Sequence, residues 1–143
     1  MVNFDLAGSF WVWAKADGTG VGFGSSAGFT LPNGAMRSPD LAWVRRERWE
    51  ALPLDERRKF GHICPDFAVE IRSSSNSLRL LQAKMQEYID NGAQLGWLID
   101  PLEKQVYVYR PGAPVERLDN PGVVSGDPVL PGFVLEPRGL WQS

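Results

Sequence analysis

Pro65-Asp66-Phe67-Ala68-Val69-Glu70-Ile71-Arg72 sets two acids and an arginine in an otherwise apolar run. Residues 67–71 read as a central β-strand. Side chains alternate along a strand, so Asp66, Ala68, Glu70 and Arg72 share one face and Phe67, Val69 and Ile71 the other. Downstream, Ser73-Ser74-Ser75-Asn76-Ser77 is a polar turn able to cap a helix. A helix follows over Leu78–Asn91, with Leu78, Leu81, Met85, Tyr88 and Ile89 on one face, and Asn91-Gly92 stops it. Leu95–Ile99 is the next apolar strand. A helical crossover between two strands of one sheet implies that they run parallel. The expected fold class is α/β, a mixed sheet flanked by helices.

Outward from this unit, Phe4 to Lys15 is an apolar, aromatic segment suited to a helix packed on the sheet. Val21–Gly24, Phe29–Leu31 and Leu41–Val44 read as strands, separated by the turns Asp17-Gly18-Thr19-Gly20 and Pro32-Asn33-Gly34. Arg45–Lys59 is charged and reads as a surface excursion with a helical turn. Val106–Tyr109 is a further strand, joined by a short polar turn at Glu103-Lys104. From Arg110 onward, six prolines predict a looped tail with a short strand near Phe133–Leu135.

The chain has 143 residues, 43% of them hydrophobic and 22% charged, which suits a single domain, here 1–143, with a real core. It has no apolar run of 18 residues and no basic secretory leader, so neither membrane nor export is expected. The single cysteine, Cys64, excludes an internal disulfide and suits a cytoplasmic location. His62 and Cys64 lack the further ligands a zinc site needs. The net charge of −2 is not that of a typical nucleic-acid binder. Residues 36–84 nevertheless hold ten Lys/Arg against seven Asp/Glu, so the basic excess falls where the strand acids lie.

Those acids carry the chemistry. Asp40, in Ser38-Pro39-Asp40-Leu41-Ala42-Trp43-Val44, begins a second strand. Isolated acids in apolar strands are costly unless something binds them. Two carboxylates and a nearby lysine are the parts that hold a divalent cation and cleave a phosphodiester. Asp66 is four residues from Glu70 on the same strand, roughly 13 Å at ~3.3 Å per residue, too far to share one ion. Asp40, on another strand, can sit beside Glu70, and Asp66 then reads as a strand-end residue. Lys84, two turns into the helix, can project toward the pair or into solvent. Arg72 can pair with Glu70 or meet a phosphate.

With these motifs in place, the sequence resembles the PD-(D/E)xK nuclease superfamily, and within it the Uma-two (Uma2) family of restriction-endonuclease-like proteins. The resemblance rests on Ser38-Pro39-Asp40, Pro65–Glu70, Ser73–Ser75, Lys84 with Tyr88, Gly92, Trp97-Leu98-Ile99-Asp100-Pro101 and Leu130-Pro131-Gly132-Phe133. It implies a restriction-endonuclease-like fold and a Mg²⁺- or Mn²⁺-dependent endonuclease acting on DNA as a homodimer. It implies Asp40 and Glu70 as metal ligands, with the backbone carbonyl of Ile71 as a third. Lys84 takes the part of the superfamily lysine, whose usual slot holds Arg72. Arg72 and Tyr88 are candidate phosphate contacts. Members of the family usually begin with a longer, glutamate-bearing N-terminal segment, so this chain is expected to be short at that end. The competing reading is a catalytically inactive nuclease fold serving as a dimerisation or interaction module.

Two further patterns lead elsewhere. Gly24-Ser25-Ser26-Ala27-Gly28 matches a nucleophile elbow, and Gly22–Ala27 matches a dinucleotide loop. Both need a helix next, and Phe29-Thr30-Leu31-Pro32 does not supply one.

Overall fold

The computed structural model describes residues 2–57 and 60–141, with side chains from Leu6 onward. The chain opens with α1 (Val2–Asp17), followed by β1 (Gly20–Phe23), β2 (Phe29–Thr30), β3 (Met36–Arg37) and β4 (Leu41–Arg45). The charged excursion forms α2 (Arg46–Glu50) and a 3₁₀ turn (Leu54–Arg57); its end, Arg58 and Lys59, lies outside the described residues. Then come β5 (Gly61–His62), β6 (Phe67–Ile71), α3 (Leu78–Asp90), β7 (Leu95–Asp100) and β8 (Gln105–Tyr109). The tail adds β9 (Glu116–Asp119), β10 (Val124–Ser125), β11 (Val134–Leu135) and α4 (Arg138–Trp141).

Among the described residues the main sheet runs β1-β4-β6-β7-β8-β9. β6 and β7 are parallel, with Phe67 opposite Leu95 and Ile71 opposite Ile99, as the α3 crossover requires. The other neighbours in this sheet are antiparallel. The fold is therefore the mixed α/β sheet expected from the sequence. The tail departs from expectation: β9 pairs with β8 along Gln105–Val108 and forms the sheet edge. Its residues, Glu116-Arg117-Leu118-Asp119, are mostly exposed, so no apolar alternation marks it as a strand. A small second sheet, β3-β2-β5, was legible only in its middle strand, because two-residue strands carry no period.

Each face of the sheet buries its own layer. On one side Trp43, Phe67, Val69, Trp97 and Ile99 pack with Leu6 and Phe10 of α1 and with Phe133, Leu135 and Leu140 of the tail. The aromatic rings interlock there: Phe67 meets Trp97 edge-on at 5.0 Å, and Trp97 stacks on Phe133 at 5.6 Å. On the other side Ala42, Val44, Ala68 and Leu98 pack under Leu81, Met85 and Tyr88 of α3. Phe67 and Val69 thus face away from α3 and Ala68 faces toward it, as strand alternation predicts. Ser77 caps α3 by accepting from the Leu80 N–H.

Candidate active site

The site forms where β4, β6 and α3 meet. β4 runs antiparallel to β6 with Leu41 opposite Val69, and the Asp40 N–H donates to the Val69 carbonyl at 2.9 Å. Asp40 therefore lies at the start of β4 beside Glu70. Its Oδ2 accepts from the Ile71 N–H at 2.7 Å. Glu70 is 5% exposed and turns toward α3. The Tyr88 hydroxyl donates to Glu70 Oε2 at 2.8 Å, and Lys84 Nζ stands 3.4 Å from the same oxygen. Lys84 and Tyr88 are four apart, so one helix face delivers both. Gly96 of β7 leaves room for that helix, since a Cβ there would stand 2.6 Å from Met85 Cε. The structure thus gathers Asp40 and Glu70, as the strand faces suggest, and of the two directions open to Lys84 it takes the one toward Glu70.

The electrostatics are those of a carboxylate pair short of positive charge. Burial raises the pKa of Asp40, against lowering by the Ile71 N–H and the charge of Lys84. Burial also raises that of Glu70, with the charge of Asp40 adding to it and Lys84 and Tyr88 opposing. A carboxyl whose folded pKa exceeds its unfolded value contributes stability below the unfolded value. That contribution is lost as pH rises through the raised folded value. In metal-free buffer at pH 7, Asp40→Asn should therefore melt higher than wild type, since asparagine keeps the acceptor for Ile71. The difference should vanish near pH 3, where Asp40 is protonated anyway; equal melting at both pH values would contradict this.

Among the described residues no group of three or more His, Cys, Asp and Glu side chains gathers to hold a metal. The side-chain oxygens at this junction are those of two carboxylates. Hydrogen bonds to the pair fall on Asp40 Oδ2 and Glu70 Oε2. This leaves Oδ1 and Oε1 without a partner among the described residues. Two oxygen-donor acids, half-buried and buried, with a single opposing lysine fit a hard divalent cation.

The model of the Uma2 family, described as "Putative restriction endonuclease", matches residues 2–138. The chain belongs to the Uma2 family. Among solved structures, it is similar to a crystal structure described as a "putative nuclease belonging to DUF820" from Anabaena variabilis. Identity is 24%, with 99% of this chain and 78% of that one covered and a TM-score of 0.80, so the two share a fold. None of the curated proteins compared matches the chain.

Other expected residues in this Uma2 chain take different places. Arg72 does not pair with Glu70. Its Nη1 donates to Asp100 Oδ2 at 3.0 Å and its Nε to the Asn76 carbonyl at 3.4 Å, tying the turn before α3 to the end of β7. Tyr88, a candidate phosphate contact from the sequence, is fully buried, and its hydroxyl is committed to Glu70. It orients that carboxylate. Asp66 is the strand-end residue expected, accepting from the Arg45 N–H and from Arg48, both at 2.8 Å. His62 pairs with Glu56 at 2.7 Å, while burial pushes the Cys64 thiol up to about 12, away from the reactive thiolate form. Gly24–Gly28 turns directly into β2.

Two features of the Uma2 site were not singled out from the sequence. Asp100 is fully buried and accepts from Arg72 and from the Leu102 and Glu103 N–H groups. Arg37 of β3 donates from Nε to Glu87 Oε1 at 2.6 Å, and Asn33 adds bonds to Glu87 and Asn91, both at 2.9 Å. The β2–β3 hairpin is thereby fastened to α3 three residues before Asp40. Burial pushes Glu87 up, but hydrogen bonds from Asn33 and Arg37, with the Arg37 charge, hold it below the usual glutamate range. The signal was there in Arg37, three residues ahead of Asp40, and in Glu87, three beyond Lys84. Both look like surface charges until the hairpin is folded over the helix.

Proposed function

We propose that this Uma2 chain is a Mg²⁺- or Mn²⁺-dependent endonuclease that hydrolyses DNA phosphodiester bonds. The observation that carries the reading is the convergence of Asp40, Glu70 and Lys84 at one junction of a nuclease-type fold. Asp40, Glu70 and the Ile71 carbonyl would hold the cation. When bound, the cation supplies charge to the scissile phosphate and lowers the pKa of an attacking water. Tyr88 fixes one oxygen of Glu70 and leaves the other free. Lys84, on its flexible stem, is placed to meet a phosphate oxygen as negative charge builds on it.

The test is cleavage of supercoiled, linear duplex and single-stranded DNA, with and without 10 mM Mg²⁺ or Mn²⁺. Cation-dependent nicking or cutting is expected on at least one substrate; intact DNA in every lane would refute the reading. One observation favours a second reading, a nuclease fold without catalysis serving as an interaction module: Lys84 already pairs with Glu70. The same assay separates the two. A homodimer fits an enzyme that must meet two DNA strands. Sedimentation at micromolar protein should give twice the monomer mass, and a monomer would contradict it. No helix among the described residues is long and apolar enough to cross a membrane, and the proposed place of action is the cytoplasm.

A further inference from the structure

Resting on the reading of Asp40 and Glu70 as a cation site, we propose that Lys84 is the resident counter-ion of that site. A divalent cation must take over its role before the lysine can turn to a phosphate. Cation binding and release of Lys84 from Glu70 are then one exchange.

A carboxylate 5% exposed cannot keep its charge without compensation. Glu70 has two sources, the Tyr88 hydroxyl at 2.8 Å and the Lys84 ammonium at 3.4 Å, both on Oε2. Tyr88 is neutral and locked in the core, so the compensating charge is that of Lys84. The Lys84 charge bears on Asp40 and Glu70 alike, and the Asp40 charge bears on Glu70. One lysine thus serves two acids.

Lys84 is also built to leave. Its side chain is 32% exposed where that of Glu70 is 7% exposed, and its four-carbon stem swings without moving α3. A second acid waits three residues along the helix. Glu87 feels the Lys84 charge and is held in place by Arg37 at 2.6 Å and by Asn33. A displaced ammonium therefore has a fixed negative neighbour on the same helix. Acting only on the phosphate, Lys84 would leave cation affinity unchanged when removed. Paired with Glu70, it must lower that affinity, because its charge opposes the incoming ion.

The size follows from charge effects on carboxylates. One unit charge within 4–6 Å changes proton affinity by roughly 10- to 1,000-fold. A divalent ion entering the same site feels at least the lower figure.

The experiment is calorimetric titration of Mn²⁺ into wild type, Lys84→Met, Lys84→Arg and Asp40→Asn, each checked for fold by circular dichroism. Lys84→Met should bind Mn²⁺ at least about tenfold more tightly than wild type. Lys84→Arg should stay near wild type, and Asp40→Asn should bind far more weakly. If the methionine variant does not fold, Lys84→Gln is read in its place. Equal or weaker Mn²⁺ binding by the uncharged variant overturns the counter-ion role and leaves the cation site standing. Absence of binding in both wild type and the uncharged variant removes the site itself, and the proposed function with it. Binding by the uncharged variant alone would support the exchange in its strongest form.

Discussion

Asp40→Asn and Glu70→Gln should each abolish DNA cleavage, by about 10³-fold or more in rate, while both variants fold. Each substitution keeps the size of the side chain and removes the charge that attracts the cation. Loss of a bound cation forfeits several kcal/mol of transition-state stabilisation, and about 4 kcal/mol is a factor of ~10³. The geometry makes the two variants informative together. Asp40 accepts from the Ile71 N–H through one oxygen, and Glu70 accepts from Tyr88 through one oxygen. Asparagine and glutamine can keep those bonds, so the loss is one of charge. Rates measured against circular dichroism and melting curves check this. Wild-type cleavage by either folded variant would show that the pair is not the catalytic centre.

A second large effect concerns stability. Asp100→Ala should cost about 3 kcal/mol, or roughly 10 °C in Tm. Asp100 is fully buried and answers three donors: Arg72 at 3.0 Å and the Leu102 and Glu103 N–H groups at 3.1 and 3.3 Å. Alanine leaves those donors unmatched, including a guanidinium only 21% exposed. Asp100→Asn keeps an acceptor for the backbone and should cost less than half as much. Chemical denaturation of the three proteins measures both numbers. A loss below about 1 kcal/mol in the alanine variant would mean that the turns around Asp100 satisfy themselves by other routes.

The parts of the fold legible in the sequence are those whose side chains repeat with a period. β6, α3 and β7 each carry an apolar face long enough to count, and their order forces a parallel pair. β9 escaped because an edge strand that faces solvent has no apolar alternation to show. In the site, the distance along one strand set Asp66 apart from Glu70 and left Asp40, on another strand, as the acid able to sit beside it. Arg72 could not be assigned the same way. Its partner Asp100 lies on β7, and which strand neighbours β6 on that side depends on the crossover and not on local sequence. The depth of Tyr88 was hidden for a related reason. Its spacing from Lys84 gives a shared helix face, but not the depth at which that face meets the sheet. At that depth the hydroxyl donates to Glu70. The Arg37–Glu87 bond required two segments 50 residues apart in the chain to meet, which no periodicity encodes.

Crystals soaked in Mn²⁺ and measured at the manganese edge test most directly the proposed cation site of Asp40 and Glu70, with Lys84 as its resident charge. The predicted result is an anomalous peak within coordination distance of one oxygen from each acid, with Lys84 Nζ moved away from its 3.4 Å contact with Glu70. Saturating Mn²⁺ with no peak between the two acids, and Lys84 still paired with Glu70, would contradict it.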